Sequence, residues 1–393
     1  MKKLIISIIA SCLVLVLFLS NYGQNQVVMV SSIDIDSLES AKSYIVMDSN
    51  GFDLIEHNSD EKKEVASICK LMTTLITLEN IDKGNIALDD KFLASDYACM
   101  VEGSQAFLDA GCEYTVRDLL KSVIVASAND SAIVLAENIA GSEAQFVDLM
   151  NAKAKEIGME NTIYANSTGL HDNNTQYSTA RDTAKILNKI SNYEVYQEYC
   201  KIWMDILIHP SGRQTELVNT NRLIKYYPYT LTGKTGYTDE AGYCLSSTAQ
   251  KDSLKLTCVV LGCDSSADRF SDSVELYNHA FANFRNYKII DKSVPLDKSI
   301  VVNRGSEDSI KLVYEDDYYL TCLSGEEGSF QLKYNIPNYI NAPIKQGQVV
   351  GSVEIVVDDT IIGQVNIIAQ DSVERQTYKD VINKIVDNFA AIK

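Results

Sequence analysis

The sequence predicts a mixed α/β (α+β) domain, followed by a small all-β domain and a terminal amphipathic helix. Residues 115–160 place apolar side chains at three- and four-residue steps, the pattern of helices that pack on a core. Residues 242–250 and 254–263 are strand-like and are joined by a short polar turn, which predicts an antiparallel pair. From about residue 290 to 370, short alternating segments replace the helical pattern. This shift predicts a boundary between two domains.

Segments of a different character flank these two domains, which we place at residues 41–288 and 289–371. Two lysines precede an uncharged apolar run at the amino end, in the order typical of a secretory signal. The run is also close to the roughly 17 residues that the shortest membrane spans need. We therefore interpret residues 1–23 as a signal peptide or membrane anchor, residues 24–40 as a linker, and the chain as exported.

The carboxyl-terminal segment, residues 372–393, carries apolar side chains at helical spacing, including Val373, Val381 and Phe389. This pattern predicts an amphipathic helix that lies on a membrane surface. Its lysines are balanced by acidic side chains, so its attraction to anionic lipid would be modest. A helix packed on its own domain is the alternative interpretation.

Local signals predict further elements of the first domain. Asn50-Gly51 lies between two strand-like runs within residues 43–59, which indicates a hairpin. One helix begins near Ser67, and another, at 178–191, follows a Ser/Thr start signal. A last helix is predicted at 271–287, after the antiparallel strands.

The charge and the cysteines exclude some functions. The formal net charge is −18, from 35 basic and 53 acidic side chains, which argues against a nucleic-acid partner because phosphate binding needs a basic surface. Nine cysteines in an exported chain would suggest disulfides. Their spacing is irregular, without C-x-x-C, so we predict no metal site and no cofactor. We interpret most of them as small buried apolar residues, with disulfides as the alternative.

A serine and a lysine three residues apart, Ser67 and Lys70, stand at the head of an apolar helical run. A serine hydroxyl needs a base within hydrogen-bond reach to act as a nucleophile. Lysine serves as that base when burial or a neighbouring cation lowers its pKa. The alternative for this pair alone is a serine cap followed by a surface lysine.

Two further stretches, Ser127-Ala128-Asn129 and Lys234-Thr235-Gly236, complete a specific constellation behind an export signal. In this hypothesis Ser67 attacks and Lys70 takes its proton. Ser127 relays a proton to the leaving amine, and Asn129 binds the substrate amide and fixes Lys70. Lys234 lowers the pKa of Lys70 and holds Ser127, and Thr235 binds a substrate carboxylate. Gly236 leaves the strand edge open for an extended peptide, and the backbone N–H groups of Ser67 and Tyr237 form the oxyanion hole.

These motifs resemble those of class A β-lactamases and penicillin-binding proteins. Longer stretches, among them "ASICKLMTTL", "ASANDSAIVLAE", "NSTGLHDNNTQYSTARDTAKI" and "TGKTGYTDEAGYCLSSTAQ", resemble the D-alanyl-D-alanine carboxypeptidases, the low-molecular-mass penicillin-binding proteins. The similarity covers roughly residues 40 to 290.

The resemblance implies the penicillin-binding/β-lactamase-like transpeptidase fold, an antiparallel sheet with helices on both sides. It implies a serine-type carboxypeptidase that removes the terminal D-alanine of the peptidoglycan stem peptide and is acylated by β-lactam antibiotics. It places Arg269, and with less support Arg222, near the terminal carboxylate of the substrate. Localisation would be extracytoplasmic, at the outer face of the cytoplasmic membrane or the cell wall.

The chain departs from the family pattern at three positions. Ala128 replaces a frequent glycine and should be tolerated if its φ is negative. Cys69 replaces a common threonine and is expected to face away from the cleft. Tyr237 stands where histidine is frequent, which affects substrate preference more than catalysis.

Two other functions remain open on the sequence. A class A β-lactamase needs a carboxylate base in a Glu-x-x-x-Asn segment, but Glu160 is followed directly by Asn161. A non-catalytic peptidoglycan-binding or penicillin-sensing module would not need the lysine base.

Overall fold

The computed structural model describes residues 38, 40–170, 176–325, 330–357 and 359–382. The predicted signal or anchor lies outside this described part, as does nearly all of the predicted linker. The described residues divide into two compact units, one ending at Arg285 and the other beginning at Asn286.

The first unit mixes helices and strands. Its α-helices within the described residues are α1 (Lys70–Asp82), α2 (Asp96–Cys99), α3 (Val116–Val125), α4 (Asn129–Ala140), α5 (Glu143–Glu156), α6 (Ala180–Ile190), α7 (Glu194–Cys200), α8 (Leu223–Tyr226) and α9 (Asp268–Asn283). Its strands there are β1 (Ser43–Asp48), β2 (Asp53–His57), β3 (Lys91–Leu93), β4 (Glu113–Thr115), β5 (Met204–Ile208), β6 (Gln214–Val218), β7 (Thr230–Thr238), β8 (Gly242–Lys251) and β9 (Leu254–Cys263).

The centre of this unit is a five-stranded sheet in the order β2-β1-β9-β8-β7. The predicted hairpin at residues 43–59 is confirmed, since β1 and β2 pair antiparallel and Gly51 takes a φ of +91° in the turn. The predicted antiparallel pair β8 and β9 is confirmed as well. Strand β7, which carries the Lys-Thr-Gly motif, lies at the edge of the sheet.

Helices pack on both faces of this sheet, as predicted. The hydroxyl of Tyr277 in α9 lies 3.0 Å from the side-chain oxygen of Ser247, which pairs with Cys258 across β8 and β9. Val259, the next residue on β9, belongs to the core formed by residues of α1 and α3–α6. Because consecutive side chains of a strand point to opposite faces, α9 covers one face and the larger helical layer covers the other.

The predicted helix start near Ser67 is confirmed, as a 3-10 turn at Ala66–Cys69 that continues into the α-helix at Lys70. One predicted helix boundary is wrong. Helix α9 ends at Asn283, although the sequence predicts helix to residue 287. Residues Phe284–Ile290 instead form a strand, in which β-branched and aromatic side chains pair with a later segment rather than continue the helix.

The second unit is all-β in its described residues up to residue 377, as predicted for this domain. Its strands are β10 (Phe284–Ile290, which begins just before the unit boundary), β11 (Ser299–Asn303), β12 (Ser309–Tyr314), β13 (Tyr318–Leu323), β14 (Gln331–Asn335), β15 (Tyr339–Asn341), β16 (Val349–Val357) and β17 (Thr360–Ala369). Six of them form a sheet in the order β14-β16-β17-β12-β11-β15, and β10 pairs with β13. Alternating apolar residues of these strands form the core of this unit.

The predicted tail helix over residues 372–393 is wrong in its first part. Val373 is buried in the core of the β unit and forms a bridge with Ile344, and Arg375 forms one with Gly305. Helical structure in the described residues begins at 378 and extends to 382, and residues 383–393 lie outside the described part. No helix among the described residues combines the length and the apolar character that crossing a membrane requires.

Candidate active site

Ser67 and Lys70 meet because the 3-10 turn joins directly to α1. The Nζ atom of Lys70 lies 2.8 Å from Ser67 Oγ and also donates to the carbonyl oxygen of Thr168 at 2.6 Å. Lys70 is completely buried, and burial lowers its pKa from an ordinary 10.5 to about 7. Near neutral pH this amine is therefore able to accept a proton from the neighbouring hydroxyl.

The loop that presents Thr168 is held rigidly against the nucleophile turn. The amide oxygen of Asn166 accepts from the backbone N–H groups of Thr168 and Gly169, at 3.2 and 2.7 Å. Gly169 has a φ of +80°, and a Cβ there would lie 1.9 Å from the carbonyl oxygen of Ala66. Glu143 accepts hydrogen bonds from both the backbone N–H and the hydroxyl of Ser167. The loop therefore fixes one acceptor for the amine of Lys70.

Sequence reasoning assigned this loop no role, although the segment "NSTGL" contributes to the family resemblance. An Asn that precedes a Gly by three residues is a local turn signal. That signal indicates the turn, but the contact with Lys70 depends on a segment about 98 positions away.

The second and third motifs supply a second hydroxyl–amine pair, Ser127 and Lys234. Lys234 Nζ donates to Ser127 Oγ and to the carbonyl oxygen of Thr235, both at 2.8 Å. The pKa of Lys234 lies well below its ordinary value, because of burial first and then the positive charges of Lys70 and Arg269. The prediction that Lys234 lowers the pKa of Lys70 needs correction, since burial is the main cause at Lys70.

Backbone strain marks the Ser127 turn. Ser127 has a φ of +62°, which is uncommon for a residue with a side chain and is typical of functional turns. Ala128 has a φ of −61°, so its methyl group is accommodated as predicted. Helix α4 then starts at Asn129.

Asn129 is oriented by the preceding loop. Its Nδ2 donates to the carbonyl oxygen of Glu102 at 2.6 Å, and its backbone N–H donates to the carbonyl oxygen of Ser104 at 2.7 Å. The predicted contact between Asn129 and Lys70 is not formed, because Lys70 takes the Thr168 carbonyl as its second partner. The Oδ1 atom of Asn129 is buried and has no partner among the described residues. It is available to accept from an N–H group of a ligand.

Strand β7 brings Thr235, Gly236 and Tyr237 to the sheet edge. Thr235 is buried, and its hydroxyl donates to that of Thr220 at 2.7 Å. A Cβ at Gly236 would lie 2.5 Å from the carbonyl oxygen of Val65. Gly236 therefore lets β7 approach the nucleophile turn, and its predicted role in keeping the strand edge open stays a prediction.

Tyr237 is half-exposed, and its ring stacks on that of Tyr243 with centroids 4.2 Å apart. Its hydroxyl donates to Asp239 at 2.7 Å, and this carboxylate raises the pKa of Tyr237 to about 12. The side chain thus points along the strand toward its carboxyl end.

The two predicted arginines differ in environment. Arg269 is buried and donates to the carbonyl oxygens of Gly236 and Cys244, at 3.1 and 3.4 Å. Burial lowers its pKa, and the charge of Arg222 contributes to the same shift. Arg222 itself is exposed, directly before α8. Arg269 thus supports the backbone of β7 and β8, while Arg222 is open to solvent beside it.

The cysteines of the described residues are free thiols, and six of the eight are buried, which confirms their interpretation as mostly small buried residues. Cys69 faces away from the reactive pair, since its Sγ lies 3.3 Å from the carbonyl oxygen of Asn166. Among the described residues, no cluster of three or more His, Cys, Asp or Glu side chains is arranged to hold a metal ion.

Two family models match the chain. Residues 29–265 match the D-alanyl-D-alanine carboxypeptidase family, and residues 284–375 match the C-terminal domain of penicillin-binding protein 5. The chain is 32% identical over 355 residues to the D-alanyl-D-alanine carboxypeptidase DacF of Bacillus subtilis, covering 90% of this chain and 91% of the relative. It is also 32% identical to DacC of Escherichia coli over 369 residues, with 90% and 88% covered.

Solved structures agree with this. Penicillin-binding protein 3 of Streptococcus pneumoniae superposes with a TM-score of 0.72 at 29% identity, covering 85% of this chain and 99% of that one. Penicillin-binding protein 5 of Haemophilus influenzae superposes with a TM-score of 0.68 at 29% identity, covering 88% and 100%.

Proposed function

Because the chain belongs to the D-alanyl-D-alanine carboxypeptidase family, we propose that it removes the terminal D-alanine of peptidoglycan stem peptides through an acyl-enzyme on Ser67. The observation that carries this proposal is the buried amine of Lys70, 2.8 Å from Ser67 Oγ and with a pKa of about 7. A base with this pKa is half-deprotonated at neutral pH, which suits general-base catalysis.

Acylation follows from the two hydroxyl–amine pairs. Ser67 Oγ attacks the carbonyl carbon of the penultimate D-alanine while Lys70 Nζ accepts its proton. Ser127, held by Lys234, donates a proton to the leaving amine as the C–N bond breaks. Ser127 recovers a proton from the protonated Lys70, so the free D-alanine departs with its amine restored.

Deacylation uses the same groups in reverse. Lys70 accepts a proton from a water molecule, which attacks the ester carbonyl, and Ser67 regains its hydroxyl proton. The backbone N–H groups of Ser67 and Tyr237 stabilise the oxyanion in both steps. A β-lactam carbonyl occupies the same position and acylates the same oxygen.

Binding is assigned to the polar groups around this centre. Asn129 Oδ1, buried and unpartnered among the described residues, accepts from the substrate amide. Thr235 and the exposed Arg222 bind the terminal carboxylate. Arg269, which also donates to the Gly236 carbonyl, holds the strand on which the substrate lies and adds its positive charge.

The two other functions have less support. Glu160, the carboxylate nearest to the β-lactamase pattern in the sequence, is exposed on a turn after α5 rather than placed beside Lys70. A binding module would not need a buried lysine whose pKa is lowered to about 7, since burying an amine without a counter-charge destabilises the fold.

We place the enzyme at the outer face of the cytoplasmic membrane, with terminal segments in contact with the lipid surface. The apolar run that follows two amino-terminal lysines supports this placement. At the other end, Tyr378, Val381 and Ile382 expose apolar surface in the helical turn at 378–382.

Mass spectrometry of the protein after penicillin treatment tests the proposal. We expect an adduct on the peptide that contains Ser67, slow release of the adduct, and D-alanine production from a pentapeptide. Ser67→Ala should lose all three, whereas Ser271→Ala, an exposed serine of α9, should keep them. Rapid turnover of penicillin would favour the β-lactamase, and an unlabelled wild type would favour the binding module.

A further inference from the structure

A cavity with a volume of about 590 Å³ lies at the carboxyl end of β7. Tyr237 of the candidate active site and Tyr243 line one side of it. We infer that this cavity binds the side chain of the residue that precedes the two D-alanines, and that it selects a side chain ending in both an ammonium and a carboxylate group. The inference rests on the proposed function.

The direction of the substrate follows from the two hydroxyl–amine pairs. The leaving D-alanine lies toward Ser127, which is bonded to Lys234 near the middle of β7. The rest of the peptide, which becomes the acyl group on Ser67, must then extend away from Ser127, along β7 toward Tyr237. Three residues of a strand span about 10 Å, close to the reach of one further residue and its side chain. The cavity begins at this point.

The walls of the cavity carry charges of both signs, and most of these groups already have an ion-pair or hydrogen-bond partner. Lys42 lies 3.3 Å from Asp264, and Lys63 lies 2.8 Å from Glu61. Asp239 accepts from the hydroxyl of Tyr237. Glu64 is not free either.

Two charged groups of the lining remain uncommitted within the described residues. The ammonium of Lys62 has no carboxylate partner among the described residues and interacts with Tyr177, with Nζ 4.7 Å from the ring centroid and 3.4 Å from the hydroxyl. Glu240 is exposed and takes part in no hydrogen bond or ion pair with a described residue. The ammonium of Lys62 and the carboxylate of Glu240 are together complementary to a ligand group that carries both charges. A ligand with only an ammonium or only a carboxylate would pair with one of the two.

The stacked rings of Tyr237 and Tyr243 supply the apolar side that the stem of such a side chain needs. A long side chain can bury its methylene groups on this stack while its charged end reaches the polar side. The ring of Tyr237 thus forms part of the apolar wall of the cavity.

Three synthetic pentapeptides ending in D-Ala-D-Ala test the inference. They differ only in the residue before the D-alanines: meso-diaminopimelate, with an ammonium and a carboxylate; lysine, with an ammonium; and norleucine, with neither. We expect kcat/KM to fall in that order, by about threefold at each step, because exposed ion pairs contribute modestly. Equal kcat/KM values for the three peptides would overturn the inference.

Charge-neutral variants separate the two contacts. Lys62→Gln should reduce kcat/KM for the diaminopimelate peptide to that of the lysine peptide, and Lys62→Arg should restore the difference. Glu240→Gln should lower kcat/KM for both charged peptides by about threefold. Lys83→Gln, an exposed lysine paired with Glu79 outside the cavity, is the matched control and should change none of the three values.

The outcomes distinguish this inference from the proposed function. If the variants lower kcat/KM for the norleucine peptide as much as for the others, the cavity is not a subsite. D-alanine release and the Ser67 adduct would still uphold the carboxypeptidase in that case. If no peptide releases D-alanine and penicillin leaves Ser67 unlabelled, the proposed function fails first and the subsite with it.

Discussion

The first unit holds basic side chains in two clusters of different composition: two lysines among neutral oxygens, and one arginine among carboxylates. In the candidate active site, Lys70 and Lys234 are buried, and their hydrogen-bond partners are hydroxyl and carbonyl oxygens. At the start of α6, Arg181 forms ion pairs with Asp53, Glu56 and Asp60. Within the described residues the amines of the first cluster donate to no carboxylate, whereas three carboxylates neutralise the guanidinium of the second.

The partners of the basic groups explain why one cluster is suited to catalysis and the other to stabilising the fold. A carboxylate partner keeps a basic group charged, whereas burial among neutral oxygens favours its uncharged form. The amine of Lys70 can therefore exchange a proton near neutral pH. The guanidinium of Arg181 instead links β2, the loop after it and α6. We expect substitutions in the first cluster to lower activity and those in the second to lower stability.

The largest effect is expected for Lys70→Met. Loss of the base should lower the rate of Ser67 acylation by about 10³-fold or more. The same change removes a buried amine, so the free energy of unfolding at pH 7 should rise by about 2 kcal/mol. Stopped-flow penicillin binding and urea unfolding measure the two quantities. A variant that acylates normally would show that another group is the base.

Gly169→Ala should have the next largest effect. The new Cβ would lie 1.9 Å from the Ala66 carbonyl oxygen at a φ of +80°, so the loop that presents Thr168 must move. We expect acylation to fall by about 100-fold, in line with a displacement of about 1 Å at a catalytic group.

The matched control for this substitution is Gly84→Ala. Gly84 has a φ of +71° but no atom within 4 Å of an added Cβ. It should therefore lose about 1 kcal/mol of stability without loss of activity. Equal acylation defects in the two variants would mean that backbone strain alone, and not the Thr168 contact, is responsible.

The pH dependence of acylation should follow Lys70. Only the free amine accepts the proton of Ser67, so kcat/KM should rise about tenfold per pH unit below 7 and level off above it. The folded-state pKa is below that of the unfolded chain, so the unfolded state binds more protons between about pH 7 and 10.5. Lys70 therefore makes stability increase with pH across that window, and Lys70→Met should reduce this slope.

The smallest effect on activity is expected for Arg181→Ala. Three carboxylates would lose their partner, and because the site is partly exposed we expect a loss of about 2 kcal/mol in the free energy of unfolding. Activity at 25 °C should stay within twofold of wild type. Arg117→Ala, which removes an exposed ion pair to Asp89, is the control and should cost less than about 1 kcal/mol. A large activity loss in Arg181→Ala would contradict the separation of the two clusters.

Prediction from the sequence succeeded where a signal was local. The Asn50-Gly51 turn fixed a hairpin, and the alternation after residue 290 indicated an all-β unit. Prediction from the sequence failed at Val373, where helical spacing competes with burial in the β unit. Val373 fits a helical stripe, but the β unit offers it a buried position, and that position prevails because burying an apolar side chain outweighs intrinsic helix preference.

The same limit applies to the site. Sequence motifs indicated which side chains to consider, but the partners of those side chains were reassigned by contacts between distant segments. Lys70 binds the Thr168 carbonyl rather than Asn129. Gly236 lies against the carbonyl oxygen of Val65, where a side chain would not fit. Backbone atoms carry no sequence identity, so their role as acceptors is visible only once the chain is folded.

By itself the sequence determined the chemistry of the chain: two hydroxyls, two lysines and an asparagine amide in motifs whose spacing is local. Only the tertiary structure decided that Lys70 is fully buried and which oxygens surround it. The physical reason is that the pKa of an amine depends on the solvent and charges around it. Those surroundings are assembled from the 3-10 turn, the loop at Thr168 and the edge strand β7, which are far apart in the chain.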